Sequence, residues 1–114
     1  MTAEELFWEL AEPMYADPAV RPSTMMGLPC VRLDGRFFAC LDRRNGALVL
    51  KLPAGRVRQL IDAGLGLPFA PAGRTFREWV AVPVPDRHRW QDLLAEARGH
   101  AAGVIPRGVR TARP

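Results

Sequence analysis

The sequence predicts an α+β fold, a single domain in which a twisted antiparallel sheet has flanking helices. Two Asx-Gly pairs, Asp34-Gly35 and Asn45-Gly46, separate three apolar runs in the middle of the chain. Such pairs tolerate the positive φ angles of hairpin turns. Apolar residues recur at helical spacing near both ends of the chain. Strands that follow one another directly, with helices before and after them, are typical of an antiparallel sheet in an α+β domain.

The first helix is predicted from about residue 3, because Thr2 and Glu5 form a capping box. The apolar residues that follow at near-helical spacing are Leu6, Phe7, Leu10 and Met14. Pro13 either kinks this helix or forces it to restart.

Three successive strands are then predicted at about 29–33, 36–42 and 47–52, with a further strand at 24–27 as an option before them. A two-residue loop at Asp34-Gly35 would put one set of side chains on one face, namely Val31, Leu33, Phe38 and Cys40. Phe37, Ala39 and Leu41 would lie on the other face. A sheet with apolar residues on both faces is either covered on both sides or meets a partner on one of them.

The second half of the chain is predicted to add two helices and one more β-rich run. Pro53 suits the first position of a helix that Gly64 ends, and a Gly- and Pro-rich loop or irregular strand follows. The run 77–85 is β-rich, and we expect its Trp79 to be buried against the last helix. Asp86 caps that helix, whose apolar stripe is Trp90, Leu93, Leu94, Ala97 and Ala101. The domain is predicted over residues 1–102, and residues 103–114 are predicted to form a flexible basic tail.

Composition excludes several classes of protein. Of 114 residues, 48% are hydrophobic and 25% charged, which is typical of an ordinary globular domain. Gly and Pro interrupt the uncharged stretches, so none approaches the roughly 20 apolar residues of a membrane span. The acidic start of the chain differs from the basic start of a signal peptide. Together with only two cysteines, this predicts a cytoplasmic protein with reduced thiols and no membrane association.

The two cysteines are predicted to be packing residues. In the expected register Cys30 lies opposite Ala39 while Cys40 points to the other face, an arrangement that cannot form a disulfide. The two histidines, His88 and His100, are twelve residues apart and give neither a metal-binding pair nor a base beside a thiol. We therefore predict no catalytic residue, no metal, no cofactor and no enzymatic activity.

Positive charge is concentrated in the middle of the chain. The net charge is +4, and residues 21–60 hold eight bases against two acids. The candidate nucleic-acid contacts are Arg43 and Arg44 at a hairpin tip and Arg56 and Arg58 at a helix start, since phosphates bind at such places. The alternative is a solvated rim of the sheet.

An ordered set of short motifs resembles the TfoX N-terminal-domain family and the related YjbR-like proteins over roughly residues 2–100. The matching features are Met25–Gly27, the Asp-Gly hairpin followed by Phe-Phe-Ala, the strand ending in Lys51, the Phe69-x-Pro71 loop and Glu78-Trp79-Val80. The signature residues are Met26, Gly27, Gly35, Phe37, Phe38, Lys51 and Trp79. The resemblance implies a compact α+β domain, a link to bacterial competence regulation and, for YjbR-like relatives, DNA binding. It implies no catalytic residues, and the C-terminal helical domain of two-domain TfoX regulators is not expected here.

The leading hypothesis is a small, non-enzymatic cytosolic module that binds another macromolecule, either an unknown protein partner or a second copy of itself. The apolar residues on both faces of the predicted sheet favour it. The alternative is nucleic-acid binding with a regulatory role, through the basic central surface.

Overall fold

A computed structural model describes residues 1–103. It confirms an α+β domain with one six-stranded antiparallel sheet and three α-helices. The helices are α1 (Ala3–Ala11), α2 (Ala54–Asp62) and α3 (Arg87–Ala101), with short 3-10 segments at Glu12–Ala16 and Pro71–Gly73. The strands are β1 (Val20–Met25), β2 (Leu28–Leu33), β3 (Arg36–Asp42), β4 (Ala47–Lys51), β5 (Leu67–Phe69) and β6 (Phe76–Val82). Apart from Gly103, the predicted tail lies outside the described residues.

The sheet has the order β1-β2-β3-β4-β6-β5, so β1 and β5 are its two edge strands. β5 lies in the stretch for which the sequence allowed a loop or an irregular strand, and it pairs with β6. None of the helices within residues 1–103 has the length and hydropathy needed to cross a bilayer.

Helix α1 begins as the sequence predicts. The Thr2 amide donates to Glu5 Oε1 at 2.8 Å, and the Glu5 amide donates to Thr2 Oγ1 at 3.0 Å. Pro13 stands near the start of the 3-10 segment that follows α1, where its missing N–H leaves no hydrogen bond unmade. The chain therefore passes from α-helix to 3-10 helix near the proline.

Two tight turns build the first three strands. Asp34 and Gly35 have φ angles of 49° and 81°, which confirms the predicted two-residue hairpin turn. Met26 and Gly27 adopt the same kind of turn, with φ angles of 52° and 79°. Because this second turn joins β1 to β2, the first strand covers Val20–Met25 and not the predicted 24–27.

A β-bulge in the second hairpin changes which side chains share a face. Val31 pairs with Ala39, but its neighbour Arg32 pairs with Phe37, so Phe38 is an extra residue with no partner on β2. Phe38 therefore joins Ala39 in the main core, and Cys40 moves to the opposite face. The predicted distribution of residues between the faces was wrong for this reason, because it assumed strict alternation.

All three helices cover the same face of the sheet. Their buried residues all belong to one cluster that also contains Phe38, Leu48 and Val80. The largest side chains of this cluster are those of Trp90, Phe7 and Phe38, each with no exposed surface. We call this side of the sheet the helix-covered face.

The opposite side is called the open face, because no helix within residues 1–103 contributes a buried residue to it. Its centre consists of Cys30, Cys40 and Val49, all fully buried. Partly buried residues surround that centre, namely Met25, Phe37, Phe69, Trp79 and Ala81. The prediction that Trp79 packs against the last helix was wrong, since Trp79 lies on this face; the fully buried tryptophan of α3 is Trp90.

Candidate functional site: the open face

The open face contains an apolar hollow of about 380 Å³. One wall comes from the β1–β2 turn and the other from the β5–β6 connection. The lining residues are Met25, Met26, Phe69, Pro71, Ala72, Arg74, Phe76 and Trp79. Since β1 and β5 are opposite edges of a six-stranded sheet, the sheet must curl strongly for both edges to line one hollow.

The aromatic side of the hollow is a small cluster of rings. The centroid of Phe69 lies 6.3 Å from that of Trp79 and 6.1 Å from that of Phe76, within the range of favourable ring contacts. Phe76 is 38% exposed and Met26, across the hollow, is 80% exposed. Large apolar surface is thus presented to solvent at one place.

The centre of the open face is a pair of thiols. Cys30 and Cys40 are direct cross-strand partners, contrary to the predicted arrangement on opposite faces, because the bulge at Phe38 moves Cys40. Both are free and buried. The Cys40 thiol donates to Cys30, which raises the pKa of Cys40 and lowers that of Cys30, and Cys30 Sγ donates to the Leu28 carbonyl at 3.4 Å. This chain of hydrogen bonds satisfies the sulfur atoms within the core.

Basic residues surround the open face. Arg21 and Arg32 are cross-strand partners at one end of the sheet, and the Arg32 guanidinium lies 4.6 Å from the ring centroid of Phe37. Lys51 pairs with Trp79 across β4 and β6. The full set is Arg21, Arg32, Arg36, Lys51, Arg74 and Arg77. Of these, Arg36 lies at the rim, where its guanidinium donates to the Ala101 carbonyl at the end of α3 at 3.1 Å.

None of these six bases forms an ion pair within residues 1–103, where the acids in ion pairs contact other arginines. Two acids lie near them, Asp34 beside Arg21 and Arg32 and Glu78 beside Lys51. The open face therefore combines apolar surface with an excess of unpaired positive charge.

The four arginines predicted to contact nucleic acid are not brought together. Arg43 and Arg44 precede β4, whereas Arg56 and Arg58 follow it on α2, and five residues of strand span about 17 Å. Two of the four arginines each donate two guanidinium hydrogen bonds to a single carboxylate. Arg43 binds Glu4 at 2.8 and 3.1 Å, and Arg56 binds Glu96 at 2.7 and 3.2 Å.

The signature residues divide between the two faces. Met26, Phe37 and Trp79 lie on the open face and Lys51 at its rim, while Phe38 packs in the helix-covered core. Gly27 and Gly35 occupy turn positions with positive φ. Phe37, Lys51 and Trp79 also line a groove that reaches His100 and Ala101 at the end of α3.

Sequence reasoning missed three of the bases at the open face: Arg21, Arg74 and Arg77 were not among the candidate or signature residues. A period of two was the available signal, since Arg77 and Trp79 share a face of β6. Residues 1–103 contain no group of three or more His, Cys, Asp or Glu side chains that could hold a metal ion.

A scan against protein-family models, a search of curated proteins and a search of solved structures each returned no match to this chain.

Proposed function

We propose that this chain is a non-enzymatic protein-interaction module that binds an apolar segment with acidic flanks on its open face. The observation that carries the proposal is the combination found there. Among residues 1–103, half-buried aromatic and methionine side chains lie there without a covering helix, and the bases around them have no carboxylate partner.

The apolar part of the face fits an interface. Contiguous exposed apolar surface with a polar rim marks interaction sites, and the residues that dominate binding energy are enriched in Trp, Tyr and Arg. Trp79 and Phe76 would contact the apolar residues of the segment. Methionines such as Met25 and Met26 adapt their shape to different neighbours, which suits a surface that is covered only in the complex.

The charged part of the face determines the chemistry of the partner. Unpaired bases such as Lys51 and Arg77 attract acidic residues and speed association. A second copy of this chain would bring the same six bases against themselves, and like charges placed opposite each other disfavour binding. An acidic partner is therefore favoured over self-association through this face.

Nucleic acid is less well supported as the ligand. Arg43 and Arg56 would have to leave their carboxylate partners to reach phosphates. Arg74 supplies the only charged group of the hollow within the described residues, so base edges placed there would lose most of their hydrogen bonds with water.

The resemblance to the TfoX N-terminal-domain family and YjbR-like proteins remains part of the proposal. It agrees with a bacterial regulator-like role in which the domain recognises another protein in the cytoplasm. A regulator that acts by contact needs no catalytic group, and the buried thiols of Cys30 and Cys40 then serve packing.

The test uses the full chain and three fluorescent probes: a short apolar peptide flanked by glutamates, the same peptide flanked by lysines, and a short oligodeoxythymidine. We expect the glutamate-flanked peptide to bind most tightly, with an affinity that falls as salt rises. The double variant Lys51→Gln/Arg77→Gln should weaken that binding.

The matched control is Arg44→Gln/Arg89→Gln, which removes the same charge at the β3–β4 turn and on α3, at residues that do not line the open face, and it should leave peptide binding unchanged. Equal binding of the two peptides, or no binding of either, would overturn the proposal. Tightest binding of the oligonucleotide, weakened by a separate Arg44→Gln/Arg58→Gln variant, would establish the nucleic-acid alternative instead.

A further inference from the structure

We infer that the apolar hollow is also a binding site for a small amphipathic carboxylic acid. The apolar body of the acid would lie among Phe69, Phe76 and Trp79, and its carboxylate would pair with Arg74. This site overlaps the proposed protein interface at Phe76 and Trp79, but it needs only the hollow and one guanidinium.

The size and lining of the hollow fit a small ligand. Its volume of about 380 Å³ falls in the range of small-molecule sites, roughly 300–1,000 Å³. Such sites are mostly apolar and carry a few polar groups that orient the ligand. Here the β1–β2 turn and the β5–β6 connection close on the hollow from two sides.

Arg74 determines the class of ligand. Its guanidinium carbon lies 5.6 Å from the ring centroid of Phe76, so the ring holds the cation beside the hollow. Arg74 forms no ion pair within residues 1–103, where the paired acids contact other arginines. A guanidinium binds a carboxylate through two parallel hydrogen bonds, and the apolar walls strengthen that attraction by excluding water.

Backbone strain is concentrated at the same place. Among residues 1–103 three non-glycine residues have positive φ, and two of them, Met26 at 52° and Ala72 at 54°, line the hollow. Side chains are disfavoured in this region of φ, and strained residues cluster at ligand-binding sites. Both side chains lie on the wall of the hollow.

The test compares three probes with the same eight-carbon chain but different head groups: octanoate, octanol and octylammonium. Binding to the full-length chain is followed by isothermal titration calorimetry and by the backbone amide shifts of residues 69–79. We expect octanoate to bind about tenfold more tightly than octylammonium, since the guanidinium attracts one head group and repels the other.

The variant Arg74→Gln should remove about tenfold of the octanoate affinity and leave octanol binding unchanged. Arg44→Gln, an identical substitution at a side chain that is 86% exposed and does not line the hollow, is the matched control. Absence of saturable octanoate binding, equal binding of octanoate and octylammonium, or an unchanged affinity in Arg74→Gln would overturn the inference.

One variant distinguishes a failure of the carboxylic-acid site from a failure of the protein-interaction proposal. The variant Lys51→Gln/Arg77→Gln retains Arg74 and the hollow, so it should bind octanoate normally while losing the acidic peptide.

Discussion

The two faces of the sheet bury apolar side chains in different ways. On the helix-covered face, residues such as Leu48 and Val80 pack against helices, and the cluster includes fully buried aromatic side chains. On the open face, the residues that pack against Cys30, Cys40 and Val49 within the described part of the chain come from neighbouring strands. The first arrangement completes a core within the chain, whereas the second leaves half-buried rings that a further molecule can cover.

Charge is divided between the faces in the same way. Bridges such as Glu4–Arg43, Glu9–Arg87 and Asp17–Arg98 connect the helices with each other and with neighbouring turns. No base of the open face takes part in an ion pair within residues 1–103. The ion pairs among residues 1–103 thus belong to the helix-covered side, while the bases of the open face have no carboxylate partner among the described residues.

The strongest test of this division is removal of a large side chain from the helix-covered core. Trp90 has no exposed surface, so Trp90→Ala should lower the free energy of unfolding by about 3–5 kcal/mol, as a buried cavity of that size does. Urea unfolding measures the change. Trp90→Phe is the control, and it should cost much less because Trp90 Nε1 has no hydrogen-bond partner to lose within the described residues.

The matched test on the open face uses Trp79. Because Trp79 is only partly buried and packs beside Phe69, Trp79→Ala should cost about 1–2 kcal/mol, less than a fully buried aromatic. The same urea experiment compares it directly with Trp90→Ala. Equal losses for the two variants would mean that the open face is as much a part of the stabilising core as the other.

Local signals predicted most of the fold. The capping box at Thr2 and Glu5, the Asp34-Gly35 turn and the Asp86 cap each involve residues close in sequence, and each is present in the structure. The bulge at Phe38 escaped prediction because it depends on how β2 and β3 pair over their whole length. One extra residue there left Phe38 on its predicted face but moved Cys40 to the opposite one.

The candidate site was less predictable than the fold. Its walls come from the two edges of the sheet, and only the curl of the sheet brings Met26 close to Phe76. The Met26-Gly27 turn was missed because methionine is uncommon at positive φ. Arg43 and Arg56 were predicted as phosphate contacts because they lie in local clusters of basic residues. Their carboxylate partners, Glu4 and Glu96, are about 40 residues away in the sequence, so the sequence pattern does not reveal them.

The smallest expected effect is on how stability changes at acidic pH. It compares the ion pairs of the helix-covered side with the unpaired bases of the open face. The guanidinium of Arg43 lowers the pKa of Glu4. The amide of Ala19 and the guanidinium of Arg98 lower the pKa of Asp17, and the Arg89 amide lowers that of Asp86. A carboxyl with a lowered folded-state pKa contributes stability above its unfolded pKa and loses it as pH falls through the folded value.

Stability should therefore decline as pH falls below about 4, the range in which unfolded Glu and Asp side chains take up protons. The variant Glu4→Gln should make this decline slightly shallower, and Arg43→Gln should do the same, because each removes the bridge that keeps Glu4 ionised. Arg77→Gln, which removes a charge without a carboxylate partner, should leave the slope unchanged. The measurement is urea unfolding across this pH range. An equal change in slope for Arg77→Gln and Arg43→Gln would show that total charge, and not the bridge on the helix-covered side, governs the response to acid.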